Sequence, residues 1–270
     1  MSEMRETIKR ILPDPIIEAG REIRDGLIRL KDWPDAMFNP DRRDSIRKLA
    51  ALRNKHAGER CFIIGNGPSL KNTDLSKLRN EKTIGMNRIY LMYPDLGFTT
   101  SYYLSVNDLV VEQCAGDIQK LEIPSFVSWR GRRWLQPTKN LHYLYTTYTG
   151  PKFGTNAAGR LWEGATVTFV AMQLAFHFGF KQVILIGVDH NFATKGKPNE
   201  TVVSQGDDPN HFSPAYFGKG FRWQLPDLDT SERGYIMARE AYRDAGREII
   251  DATVGGKLTV FPKVAYESLF

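Results

Sequence analysis

The stretch Cys61-Phe-Ile-Ile-Gly-Asn-Gly-Pro-Ser-Leu70 restricts the fold of this chain more than any other. Cys61 to Ile64 is a short apolar run that reads as a buried strand. Gly65-Asn66-Gly67-Pro68-Ser69 ends it, and an amphipathic run from about Leu70 to Leu78 reads as a helix. Strand, glycine turn and helix is how an open α/β sheet presents a ligand site at the carboxyl ends of its strands. Gly65 and Gly67 allow close backbone approach, and a helix N-terminus offers free N–H groups to an anion. The stretch is not the dinucleotide fingerprint, because the third glycine of G-x-G-x-x-G would fall at Leu70. Pro68 and Ser69 suit a helix start. Alone, the stretch fits an ordinary strand-to-helix turn as well as it fits a phosphate cradle.

Beyond it the chain alternates strands and helices. Lys82 to Met86, Ser101 to Val106, Ser125 to Trp129 and Leu141 to Tyr145 read as strands. Arg88 to Tyr93 and Leu109 to Leu121 read as helices. Ala165 to Phe178 is a strongly apolar helix, Gln182 to Val188 is the clearest buried strand, and Glu248 to Ile250 is a last short one. The alternation predicts a Rossmann-like, mostly parallel sheet with helices on both faces. Residues 193–231 carry little regular pattern but are rich in aromatic residues. A long irregular segment of that kind is a functional loop more often than plain disorder. Ser231 reads as the cap of a helix from Glu232 to Ala245.

Residues 1–58 differ from the α/β region, 59–270, and are predicted to form a helical extension. Met4 to Leu12 and Ile16 to Leu30 have helical patterns with basic faces, punctuated by Pro13, Pro15 and Pro34. A further helix is expected from Asp44-Ser45 to about His56. Such helices can pack on the main domain, pack on a second subunit in a homo-oligomer, or lie peripherally on an anionic membrane. Acidic residues on the polar side (Glu18, Glu22, Asp25) favour protein packing.

The net charge of +6, from 37 basic against 31 acidic residues, suits an anionic ligand. No dense basic run with interleaved aromatics points to nucleic acid. Two cysteines, Cys61 and Cys114, are too few for a disulfide framework or a zinc site. No secretory segment or membrane span is read, so the expected location is cytoplasmic.

Three asparagines stand just past consecutive predicted strands: Asn66, Asn87 and Asn107. If those strands are parallel neighbours, the three amides converge on one rim and can read sugar hydroxyls or a base edge. Asp189 ends a fourth strand. His211, in Asp207-Asp-Pro-Asn-His-Phe-Ser-Pro, is a candidate general base, and His190 competes for the role. Asp207-Asp208 and Asp227-Leu-Asp229 are weak metal pairs. Trp223, Phe217 and Arg222 are candidates for the acceptor side or a lid.

Several separated motifs carry a resemblance. They are Cys61 to Leu70, Ile84-Gly-Met-Asn-Arg-Ile-Tyr90, Ile186-Gly-Val-Asp189, His211-Phe-Ser-Pro-Ala-Tyr-Phe217 and Asp251-Ala-Thr-Val-Gly-Gly-Lys-Leu-Thr-Val-Phe-Pro262. Together they resemble the 6-hydroxymethylpterin diphosphokinase-like family, which includes the flagellar motility accessory factors. The motif order is also similar to the bacterial sialyltransferases of glycosyltransferase family 42. That similarity implies a metal-independent, inverting transferase that takes a sugar from a nucleotide-activated donor to a glycan or lipid-linked acceptor. It implies Gly65, Asn66, Gly67, Ser69, Asn87 and Asn107 at the donor, Thr166 before the central helix, and His211 as base. Val188-Asp189-His190-Asn191-Phe192 lacks the tyrosines that hold the leaving phosphate in those enzymes, and Tyr216 is the candidate substitute. Arg160 is displaced from their arginine, and Lys219 is a further basic candidate. No cofactor is implied. The rival reading, a pterin diphosphokinase, would need ATP and Mg²⁺ with Asp108, Asp189 and Asp207 as ligands. A non-catalytic binding protein is the second alternative.

Overall fold

The computed structural model describes residues 14–148, 150–194 and 196–270. The predicted helix Met4 to Leu12 lies outside the described residues. The chain begins with α1 (Asp14–Phe38), which runs on through Pro34, and α2 (Pro40–Ala51), which is capped by the Asn39 side chain. The α/β region then supplies β1 (Arg60–Ile64), β2 (Thr83–Met86), β3 (Tyr102–Ser105), β4 (Ser125–Ser128), β5 (Leu141–Thr147), β6 (Arg160–Trp162) and α3 (Val167–Phe178). It closes with β7 (Gln182–Ile186), β8 (Thr201–Val203), β9 (Arg222–Gln224), α4 (Leu228–Asp244) and β10 (Glu248–Asp251).

Eight strands form one sheet in the order β10-β7-β1-β2-β3-β4-β5-β6, with every neighbouring pair parallel. β8 and β9 form a separate antiparallel ribbon. The sheet is buried on both faces, which is why its strands read as continuous apolar runs. Along β1, Cys61 and Ile63 join the core beneath α3 and α4, while Phe62 and Ile64 join the opposite core. That opposite core also takes Phe212, Tyr216, Phe217 and Trp223 from the aromatic loop.

Several predicted elements change form. The helix expected over Arg88 to Tyr93 is a 3₁₀ turn, Ile89–Met92, running into one α turn, Tyr93–Leu96, and the helix expected from Asp44 to about His56 runs instead over Pro40–Ala51 because Asn39 caps it. The expected helix from Leu70 to Leu78 is two 3₁₀ turns, Pro68–Asn72 and Leu75–Leu78, separated by a segment in which Asp74 caps the second turn. The expected helix from Leu109 to Leu121 breaks at Cys114 into two short pieces, Asp108–Gln113 and Ala115–Ile118. α4 starts at Leu228 rather than Glu232, because Asp227 caps it by accepting the Thr230 N–H at 3.0 Å. That cap is the role the structure gives Asp227 of the Asp227-Leu-Asp229 pair.

Candidate functional site

The strand order reverses direction between β1 and β7, since β2 to β6 lie on one side of β1 and β7 and β10 on the other. Open α/β sheets bind ligands at such a switch point, outside the carboxyl ends of the strands. A cleft of about 250 Å³ opens there. Its walls are the turn after β1 (Gly65, Asn66, Gly67), the segment Gly187 to Phe192 after β7, the first turn of α3 (Thr166 to Thr168) and the loop residues His211, Phe217 and Trp223.

The glycine turn is bonded to the end of β7. Gly65 N donates to Ile186 O at 2.8 Å and Gly67 N to Gly187 O at 2.9 Å. A Cβ on Gly65 would stand 2.2 Å from Gly187 O, and one on Gly67 would stand 1.8 Å from Asp189 Oδ2. The glycines are therefore required by a protein–protein approach inside the sheet end. Asp189 accepts from Ser69 N at 3.0 Å and from Ser69 Oγ at 2.7 Å. The expectation that this turn offers free N–H groups to an anion is corrected, because Asp189 already occupies the Ser69 N–H. Ser69 is thereby a partner of Asp189 and lies off the cleft lining.

The three asparagines line this one cleft, as expected for adjacent parallel strands. Their amides are not equivalent. Asn107 Oδ1 caps the following helix, accepting from Leu109 N at 2.9 Å and Val110 N at 3.3 Å. Asn87 is held at a left-handed φ of 51° and accepts from Ser105 Oγ at 3.1 Å. Asn66 is 9% exposed, and its Oδ1 is buried without a hydrogen-bond partner. A buried, unpaired carbonyl costs about 1–3 kcal/mol in desolvation. A donor on a ligand in the cleft would remove that cost.

His211 stands beside this turn because Phe212 N donates to Asn66 O at 2.9 Å. Its Nδ1 lies 2.7 Å from Asp208 Oδ2, and the imidazole stacks on the Tyr216 ring at 3.9 Å. Asp208 is buried, and its other oxygen accepts the Asn210 N–H at 2.8 Å. A carboxylate fixed on Nδ1 holds the proton there and leaves Nε2 as the acceptor. That is the arrangement a general base requires.

The profile of the family described as 6-hydroxymethylpterin diphosphokinase MptE-like matches residues 39–195, more than half of the chain. The chain belongs to the MptE-like family. A comparison with curated proteins finds no match in sequence. Among solved structures, the MAf glycosyltransferase from Magnetospirillum magneticum AMB-1 is similar in fold, with 14% identity and a TM-score of 0.52. The similarity covers 84% of this chain and 39% of that one, so the chain spans about two-fifths of that enzyme. A mammalian sialyltransferase in complex with Gal-beta-1-3GalNAc-ortho-nitrophenol matches at 13% identity over 81% of this chain and 80% of that one, with a TM-score of 0.36.

In this MptE-like chain the remaining candidates divide. Thr166 caps α3, accepting from Thr168 N at 3.3 Å, and it lines the cleft after the left-handed pair Gly164 and Ala165. His190 also lines the cleft, at a φ of 53°, with Nε2 2.8 Å from Glu232 Oε1. Trp223 lines it and stacks on Phe217. Tyr216 does not reach in. It is fully buried beneath His211, and its hydroxyl accepts the Arg88 N–H at 3.3 Å. Arg222 is turned away, bonded to Glu112 at 2.9 Å and to Gln113 through its backbone. Arg160 lies in β6 over Trp162, and neither it nor Lys219 lines the cleft.

Two features of the cleft escaped the sequence reading. Asp208 was read as half of a metal pair, although its spacing of three residues from His211 is the signal for the contact. The other is an ionic wall. Arg130 bridges Asp108 at 3.0 Å and Glu163 at 2.7 Å, and it also bonds the Tyr148 hydroxyl at 2.9 Å. Glu163 and Tyr148 line the cleft. Burial pushes the Glu163 carboxyl up, while Arg130 and Thr146 pull it down. The Tyr148 hydroxyl is likewise raised by burial.

Proposed function

We propose that this chain is a glycosyltransferase that moves a sugar from a nucleotide-activated donor to a hydroxyl of a glycan or lipid-linked acceptor. The observation that carries the reading is that the Asp208-held His211 opens on the same cleft as the three strand-end asparagines. Asn66 Oδ1 would accept from the donor, while the Asn87 and Asn107 amides, whose oxygens are already bonded, would donate to it. His211 Nε2 takes the proton of the acceptor hydroxyl. The acceptor oxygen bonds to the anomeric carbon as the bond to the donor phosphate oxygen breaks, and the electron pair leaves with the phosphate. The first turn of α3, with Thr166, carries the partial positive charge that favours that phosphate.

The family's description names a different reaction, a diphosphokinase, which would need Mg²⁺ at carboxylates. Asp189 is bonded to Ser69 and Asp108 to Arg130, so two of its three candidate ligands are already committed. This favours the metal-independent reading. Thermal shifts separate the two. At about 100 times its Kd, a cytidine or uridine nucleotide without metal should stabilise the chain by ~2.7 kcal/mol. A shift with ATP and Mg²⁺ alone would overturn the transferase reading.

A further inference from the structure

A second pocket opens at the other end of the sheet, beneath the amino ends of β2 to β5 and beside the end of α2. Its volume of about 490 Å³ falls within the ~300–1,000 Å³ of small-molecule sites. Four lysines reach it from four separate segments: Lys48 in α2, Lys55 in the turn that follows, Lys82 just before β2 and Lys139 just before β5. No residue of its lining is acidic, although the chain has 31 acidic residues.

The lysines are not equivalent. Lys48 is committed, since its Nζ pairs with Asp44 at 2.7 Å and donates to the Lys139 carbonyl at 3.3 Å. Lys55, Lys82 and Lys139 are exposed, and among the described residues their ammonium groups have no hydrogen bond or ion pair. Glu59 stands nearby but is held by His56 at 3.1 Å. The floor beneath the lysines is fixed. His56, Tyr102 and His142 are buried there, with His56 Nε2 2.7 Å from the Tyr102 hydroxyl and His142 Nδ1 2.8 Å from Asn140 O. The positive field is felt at that floor. Burial lowers the His142 pKa, the Asn140 carbonyl raises it, and the Lys48 charge lowers it again. Lysines scattered singly over a surface need no explanation. A hollow lined by one sign of charge over low-dielectric walls focuses its field and concentrates counter-ions. The ammonium is a compact point charge suited to phosphate oxygens.

We propose that this pocket is an anion site, separate from the His211 cleft, which binds a ligand of more than one phosphate charge through Lys55, Lys82 and Lys139. A soluble polyphosphate and the phosphates of a lipid headgroup share that chemistry.

The five histidines supply the readout, because His56 and His142 line this pocket while His190 and His211 line the cleft. Tripolyphosphate is titrated into the full chain to ~10 mM in 0.15 M salt, where exposed charges more than ~8 Å apart are screened. The ring-proton NMR signals of His56 and His142 should shift saturably, and those of His190 and His211 should stay. The triple variant Lys55→Gln, Lys82→Gln, Lys139→Gln should raise the dissociation constant about tenfold or more, through the loss of three charge-assisted contacts, with an unchanged melting temperature. No saturable shift, shifts confined to His190 and His211, or an unchanged dissociation constant in the triple variant overturns the proposal. Flotation with phosphatidylglycerol-containing vesicles separates the two sources. Flotation that the triple variant abolishes assigns the phosphates to lipid, and tripolyphosphate binding without flotation assigns them to a soluble ligand. The proposal does not depend on the transferase reading, since no arm involves catalysis.

Discussion

The two ends of the sheet both carry histidines, and they use them differently. At the amino end, His142 Nδ1 bonds Asn140 O at 2.8 Å and His177 Nε2 bonds Leu49 O at 2.8 Å, while His56 is held between the Tyr102 hydroxyl at 2.7 Å and the half-exposed Glu59 carboxylate at 3.1 Å. A ring that donates to a carbonyl is held in place as a strut. Burial lowers the His142 and His177 pKa, against the backbone carbonyls, which raise it. At the carboxyl end, His190 and His211 each face a carboxylate and line the cleft. Even these two differ. The Asp208 side chain is 3% exposed, whereas that of Glu232 is 48% exposed. Solvent screens the Glu232 pair, so it holds its ring weakly. The Asp208 pair sits over a buried tyrosine and orients its ring firmly. The contrast separates struts, a loosely held ring and a firmly oriented one within one fold.

That contrast can be broken experimentally. The largest expected effect is from His211→Ala, which should lower the transfer rate by ~10²–10⁴-fold with nucleotide binding retained. Full activity in that variant would place the base elsewhere, with His190 next in line. Asp208→Asn should leave the fold intact yet cost about 10–100-fold in kcat, because the amide no longer fixes the tautomer. Steady-state kinetics checks this, and an effect confined to KM would reassign Asp208 to binding. Glu232→Gln should change kcat by less than about threefold, since an exposed ion pair contributes only ~0–1 kcal/mol. A loss as large as that of Asp208→Asn would erase the distinction between the two pairs.

The smallest effect concerns the struts. His142 and His177 have folded pKa values below the unfolded value of ~6.5, so the unfolded chain binds more protons in that range. Their contribution to stability is complete above ~6.5 and is lost as pH falls through the folded values. The melting temperature should therefore decline between about pH 7.5 and pH 5.5, and less steeply in His142→Gln. Equal slopes for the two proteins would remove His142 from the strut class.

Much of this arrangement was legible in the sequence, for physical reasons. Cys61–Ile64 and Val183–Ile186 are buried on both faces, so they read as unbroken apolar runs. The asparagine rim followed from placing parallel strands side by side. β6 and the β8–β9 ribbon were missed because three-residue strands such as Arg160–Trp162 have too few positions for a period to appear. The turn after β1 was misjudged because its polar groups looked free, and only folding brings Asp189 onto Ser69 from 120 residues away. Tyr216 misled for the opposite reason. A tyrosine in an irregular loop reads as one that could reach the leaving phosphate, while here it is the bed on which the imidazole lies.

The crowding around Gly65 and Gly67 has a practical consequence for redesign. Positions 65 and 67 cannot carry a side chain without displacing Gly187 or Asp189. Asn66 is then the one residue of that Gly-Asn-Gly triplet open to variation. A library aimed at changing what the cleft accepts should vary position 66 together with Asn87 and Asn107, and should leave both glycines alone.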